Sequence, residues 1–223
     1  MTEPEVLRTL KRKKDRRGDR ELLDEVLDAT WVGTLSTVVD GHPWSIPMTF
    51  ARVDDEVLVH GSTGAGALRH LAAGAPVTLT VTVLDGLVVA DSLMDHSANY
   101  RSAVLRGRLE PCDDPAAALA ALTDAILPGR SAELPPPSAK EVAATVILRL
   151  PIVDGGWIAK RRSGGPGEAA GWTGVVDVAT GYGEVHRHSG DEIPESVRRL
   201  TGIDRAPFPP GPHRPRGNAP QPR

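Results

Sequence analysis

A chain of 223 residues with a formal net charge of −3 has room for one sizeable core, and its overall charge gives it no electrostatic pull toward nucleic acid. No apolar run approaches the roughly 20 residues of a membrane-spanning helix, and the N-terminus is charged where a secretory leader is apolar. The lone cysteine, Cys112, excludes an internal disulfide, and the expected location is the cytoplasm.

The ends differ from the middle. Residues 11–20 read KRKKDRRGDR, a basic lead-in expected to be solvated, and residues 1–18 are set apart as a basic, partly mobile segment. Glu21–Asp28 carries Leu22, Leu23, Val26 and Leu27 at helical spacing, which predicts an amphipathic helix packed on a sheet. Trp31–Val39, the pair Asp40-Gly41, and His42–Arg52 together predict a β-hairpin, because glycine supplies the positive φ of a tight turn. Asp54-Asp55 marks a second turn before a strand at Glu56–His60, and a short helix is expected through Leu68 and Leu71.

The clearest strand follows. Val77, Leu79, Val81 and Val83 alternate with Thr78, Thr80 and Thr82, a period that no helix produces, and their apolar side should face the core. The pair Asp85-Gly86 reads as another hairpin-like turn, with Leu87–Ala90 and Arg101–Leu109 continuing the sheet. An alanine-rich helix is expected at Pro115–Leu127 and a strand at Val142–Leu150. Strands joined by short turns are antiparallel, so the fold class is mostly β with flanking helices. Residues 19–152 form the expected barrel domain, 153–203 an extension that packs on or covers it, and 204–223 a disordered tail holding seven of the twenty prolines.

Three stretches carry chemistry. The segment Gly61–Gly66 (GSTGAG) follows a strand and opens a helix, so its backbone N–H groups and the hydroxyls of Ser62 and Thr63 could face an anion. Its spacing is not the dinucleotide-binding fingerprint, and no βαβ alternation surrounds it. Residues 91–108 (DSLMDHSANYRSAVLRGR) crowd acid, imidazole, phenol and guanidinium groups between apolar strands, which calls for water or a polyanionic ligand as partner. Residues 155–176 combine two tryptophans, glycines and arginines, and read as a mobile lid or a cover for a planar ligand. No GxSxG elbow occurs, Cys112 lacks an activating base, and His186-Arg187-His188 does not make a metal-ligand set, so no metal site is expected.

The order of helix, DG hairpin, WSIPMTFAR, LVHGS, PVTLTVTVLDGLVVADS and HSANYRS resembles the pyridoxamine 5′-phosphate oxidase-like flavoproteins, in the flavin-nucleotide-binding branch that includes nitroimidazole reductase-like proteins. The resemblance covers residues 19–150. It implies an antiparallel FMN-binding split barrel, usually a homodimer with FMN between subunits, and an oxidoreductase passing hydride between flavin and a small organic substrate. A non-catalytic flavin carrier, and a barrel enzyme using a deazaflavin or no cofactor, are the alternatives. By position it implies that Ile46, Pro47, Met48 and Thr49 line the isoalloxazine, and that His60, Gly61, Ser62 and Thr63 approach the ribityl phosphate. It places Asn99, Tyr100, Arg101 and Ser102 in the later cofactor motif. His96 and Tyr100 are the candidate proton donors. In similar proteins a cation stands just inside the helix after HGS; here that step reads Ala65-Gly66, leaving Arg69 or Arg101 to meet the phosphate.

Overall fold

The computed structural model describes residues 14–202, apart from residues 65, 168, 169, 187 and 191 and the side chain of Ala67. The expectations of mobility for the N-terminal segment through residue 13 and for the proline-rich tail therefore lie outside the described residues. The chain divides into two units, Met1–Gly181 and Tyr182–Arg223. In the second, α5 (Glu195–Thr201) ends on Gly202, whose φ of 63° is the left-handed cap that stops a helix.

The first unit is an antiparallel split barrel. After a 3-10 turn at Lys14–Arg16 come β1 (Arg17–Gly18), α1 (Arg20–Asp28), β2 (Val32–Val39), β3 (His42–Val53), β4 (Glu56–Ser62), α2 (Gly66–Ala72), β5 (Pro76–Val89) and β6 (Ser97–Arg108). The rest is β7 (Glu110–Pro111), α3 (Pro115–Ile126), a 3-10 turn at Ser131–Glu133, α4 (Ala139–Ala143), β8 (Thr145–Pro151), β9 (Trp157–Arg162) and β10 (Gly174–Asp177). The strands run in the order β1-β9-β6-β5-β2-β3-β4-β8-β7, with β10 also on β5, and the sheet does not close on itself.

The core is what the alternation demands. Leu22, Leu23, Val26 and Leu27 of α1 are buried against Leu35, Val77, Leu79, Val81, Ala103 and Leu105, and the side chain of Asp19 caps α1 by accepting from the Leu22 N–H at 3.2 Å. The β2–β3 hairpin turns on Asp40 (φ 49°) and Gly41 (φ 78°), two successive positive φ values as an Asp-Gly hairpin requires. Val83 is only half-buried, because it stands where β5 leaves the barrel.

Three expectations are corrected. Asp85-Gly86 is not a turn: β5 runs through it to Val89, with a register shift between Leu84 and Gly86 opposite Tyr100 and Asn99. A Cβ on Gly86 would lie 3.1 Å from Val175 Cγ1 and 3.2 Å from the Val176 carbonyl, so the glycine makes room for β10 and the chain reverses at residues 90–96 instead. Val142 lies in α4, where Ser138 and Glu141 form a reciprocal capping box that holds the helix, and the strand begins at Thr145. Residues 153–181 are not a cover over a finished barrel. They supply β9, which pairs with β6, and β10, which pairs with β5.

Candidate functional site

Strand parity sorts the expected site residues, because successive side chains of a strand point to opposite faces. Ile46 and Met48 pack against the core, whereas Pro47 and Thr49 point outward. Ala103 and Leu105 are buried in the core, so Tyr100, Ser102 and Val104 lie on the outward face of β6 and Arg101 and Asn99 on the inward side. Cross-strand pairs carry the outward face across the sheet as the row Pro47, Thr34, Thr80, Val104, Ile158. Neither tetrapeptide, Ile46–Thr49 nor Asn99–Ser102, presents all its side chains to one ligand.

This outward face is open. Val32, Val38, Leu84, Leu87 and Val176 lie on it as exposed apolar side chains, and Trp172, 72% exposed, stacks its ring over Gly174 at the far end. Between them stand small hydroxyls, with Ser36 and Ser45 bonded to each other at 2.8 Å. Among the described residues it carries no carboxylate. Four strands about 4.8 Å apart and some eleven residues of β5 at about 3.3 Å each make a flat surface of roughly 600 Å². Such a surface is unusual on a monomer.

The loop expected to cradle a phosphate is largely spent. The Thr63 N–H donates to the Ala144 carbonyl at 3.2 Å, and the Gly64 N–H donates to Ser62 Oγ at 3.2 Å. Gly61 is needed for packing: a Cβ there would meet Leu68 Cδ1 at 2.3 Å, so it lets α2 lie against β4. Gly66 has open space around it, and Arg69 is exposed on α2.

Arg101 is also committed elsewhere. Its guanidinium forks onto Asp85 (2.8 and 3.1 Å) and reaches Glu25 at 2.9 Å, and Glu25 also receives Arg161. Hydrogen bonding to Asp85 raises the Arg101 pKa above the ordinary arginine value, with burial opposing and Glu25 adding to it. Arg101 thus clamps α1 to the bulge in β5. Asn99, 8% exposed, spends both ends of its amide: Nδ2 donates to the Gly164 carbonyl at 3.1 Å, and Oδ1 accepts from Arg162 at 2.7 Å.

Three imidazoles differ in how they are held. His60 has its Nδ1 buried without a partner, and His70 has Nε2 3.1 Å from the Val38 carbonyl. His96 sits in the β5–β6 connection with Nδ1 2.8 Å from the Ser92 carbonyl and is exposed, and the same connection carries Leu93 and Met94, 95% and 91% exposed. Sequence reasoning missed the partners of His96 and Asn99, since nothing local announces either. Among the described residues no group of three or more His, Cys, Asp or Glu could hold a metal ion by itself, and no helix is long and apolar enough to cross a membrane.

The family model for pyridoxamine 5′-phosphate oxidase matches residues 19–155. Among solved structures, the FAD and heme binding protein from Mycobacterium smegmatis is 44% identical over 83% of this chain and 97% of its own, with a TM-score of 0.80. The flavocytochrome Anf3 from Azotobacter vinelandii is 30% identical over 85% of this chain and 94% of its own, with a TM-score of 0.73. A candidate 5-nitroimidazole antibiotic resistance protein from Bacteroides thetaiotaomicron, 18% identical over 64% of this chain and 84% of its own, shares the fold at a TM-score of 0.54. No curated protein matches the chain.

Proposed function

The chain belongs to the pyridoxamine 5′-phosphate oxidase family, and from that premise we propose that it is a homodimeric flavin-dependent oxidoreductase acting on a small organic substrate. The open sheet face carries this reading. Its roughly 600 Å² approaches the about 800 Å² that each partner buries in a standard interface, and a second copy would cover its exposed apolar side chains. Pro47, Thr49, Tyr100 and Ser102 share that face, so a flavin ring held between two copies would rest on small apolar and hydroxyl groups. When bound, the flavin supplies hydride acceptance and delivery. The protein excludes water from it, and the Tyr100 hydroxyl is placed to hold a proton at the same face.

The nucleotide is FAD on this reading, as the name of the 44% identical relative supports, rather than the FMN that the resemblance alone implied. A terminal phosphate dianion gains most from a charged partner, yet Arg101 is engaged by two carboxylates and two N–H groups of the 61–66 loop are bonded within the protein. Gly66→Arg, which has space for the new side chain, is expected to tighten FMN by about tenfold, worth about 1.4 kcal/mol, and to leave riboflavin unchanged. Equal titration curves for FMN in parent and variant would show that the phosphate lies elsewhere.

A second group, heme, is favoured by His96. A metal-ligating histidine usually fixes its other ring nitrogen on a carbonyl or carboxylate, and His96 Nδ1 is so placed on Ser92, in a connection that also carries the exposed Leu93 and Met94. The names of both the 44% and the 30% identical relatives include a heme or a cytochrome. The purified protein should show flavin bands together with a Soret band, and His96→Ala should abolish the Soret band while the flavin bands stay. A flavin-only spectrum from protein made with ample heme would remove heme from the reading. Loss of the Soret band in His60→Ala instead would move the ligand to β4.

A further inference from the structure

Arg162, at the end of β9, is half-buried and is held by neutral acceptors alone, the Ala98 carbonyl at 3.2 Å and Asn99 Oδ1 at 2.7 Å. Asn99 is itself immobilised by the Gly164 carbonyl, so a buried amide is devoted to aiming a guanidinium whose charge no carboxylate among the described residues offsets. A half-buried cation without a counter-charge is costly unless an anion arrives to meet it. Arg101, in the same groove, makes the contrast, with two carboxylates already on it.

The groove has a volume of about 560 Å³ and meets a second one, of about 470 Å³, at Glu25, Arg161 and Ser163. The second groove is lined by Arg16 and Arg17, which have no ion pair among the described residues. At this junction Glu25 is spent on Arg101 and Arg161, and Asp85 on Arg101. Four carboxylates have no basic partner among the described residues: Asp15, Asp19 and Glu21 line the second groove and Asp177 the first. Arginines without counter-ions among the described residues, Arg162 in one groove and Arg16 and Arg17 in the other, with carboxylates nearby, match a diphosphate flanked by sugar hydroxyls: arginine forks onto phosphate oxygens, and carboxylates accept from ribose.

We propose that the joined grooves along α1 bind a nucleoside diphosphate, with Arg162 and Arg17 on the phosphates. The inference goes beyond the flavoprotein reading, and its test needs no turnover. Calorimetric titration of the full-length protein, as purified with its bound cofactors, should show ADP binding and adenosine failing to bind, since the phosphates carry the recognition. Inorganic pyrophosphate should bind more weakly than ADP. Arg162→Ala and Arg17→Ala should each weaken ADP at least tenfold, while Arg69→Ala leaves it unchanged. Arg17 is exposed, so its variant keeps the fold, and Arg162→Lys, which keeps the charge, should recover part of the affinity. Absence of ADP binding to the parent, or affinity unaltered in both alanine variants, would overturn the proposal whatever the spectrum shows of flavin or heme.

Discussion

On the proposed reading, Val104→Asp is expected to turn a dimer into a monomer and to strip it of flavin. Val104 stands in mid-row on the outward face, between Thr80 and Ile158. In a dimer built on this face the new carboxylate would lose its solvation against the apolar surface of the second copy, at a cost of several kcal/mol. In the monomer the same carboxylate is solvated, so the melting temperature of the isolated chain should hardly move. Light scattering gives the mass and the released flavin gives the content. A dimer that survives with its flavin intact would place both the interface and the cofactor on another surface. Thr80→Arg, one strand away, should behave alike, and agreement between the two separates an interface effect from a local one.

Leu79→Ala should be the most destabilising single truncation in the barrel. Leu79 is fully buried in the first half of β5, opposite Leu35 on one side and Leu105 on the other. Removing its isobutyl group leaves a cavity that three adjoining strands cannot close, because their ladder hydrogen bonds fix their spacing; about 3 kcal/mol is the expected loss. For a chain of this size that lowers the melting temperature by about 6 to 12 °C. Leu79→Met, which conserves volume, should cost under about 1.5 kcal/mol. A fall of equal size in both variants would mean that the position is limited by shape rather than by buried volume. Because Leu79 points away from the outward face, flavin affinity at low temperature should be the same in parent and variants.

The residue order alone determined the class of the fold. Alternation in Val77–Val83, helical spacing in Leu22–Leu27 and the Asp40-Gly41 turn are local signals, and each is decided by contacts within a few residues or by the period of one element. They also bounded the site, since parity along β3 and β6 states which side chains can share a face even though not which face is open. Local patterns could not tell the two Asp-Gly pairs apart. Asp40-Gly41 closes a hairpin, while Asp85-Gly86 is a bulge because β10, about ninety residues on, lies against Gly86. Arg101 looked like a phosphate ligand in its own motif, and only folding brought Glu25 to it from α1 and Asp85 from across the strand pair. Asn99 likewise stood in the cofactor motif, yet its amide is spent on Gly164 and Arg162, more than sixty residues away. The physical reason is the same in each case. A strand's period is set by backbone sterics that the local sequence carries, whereas the partner of a buried charge or amide is whatever distant group the topology delivers, and that choice exists only once the sheet has been assembled.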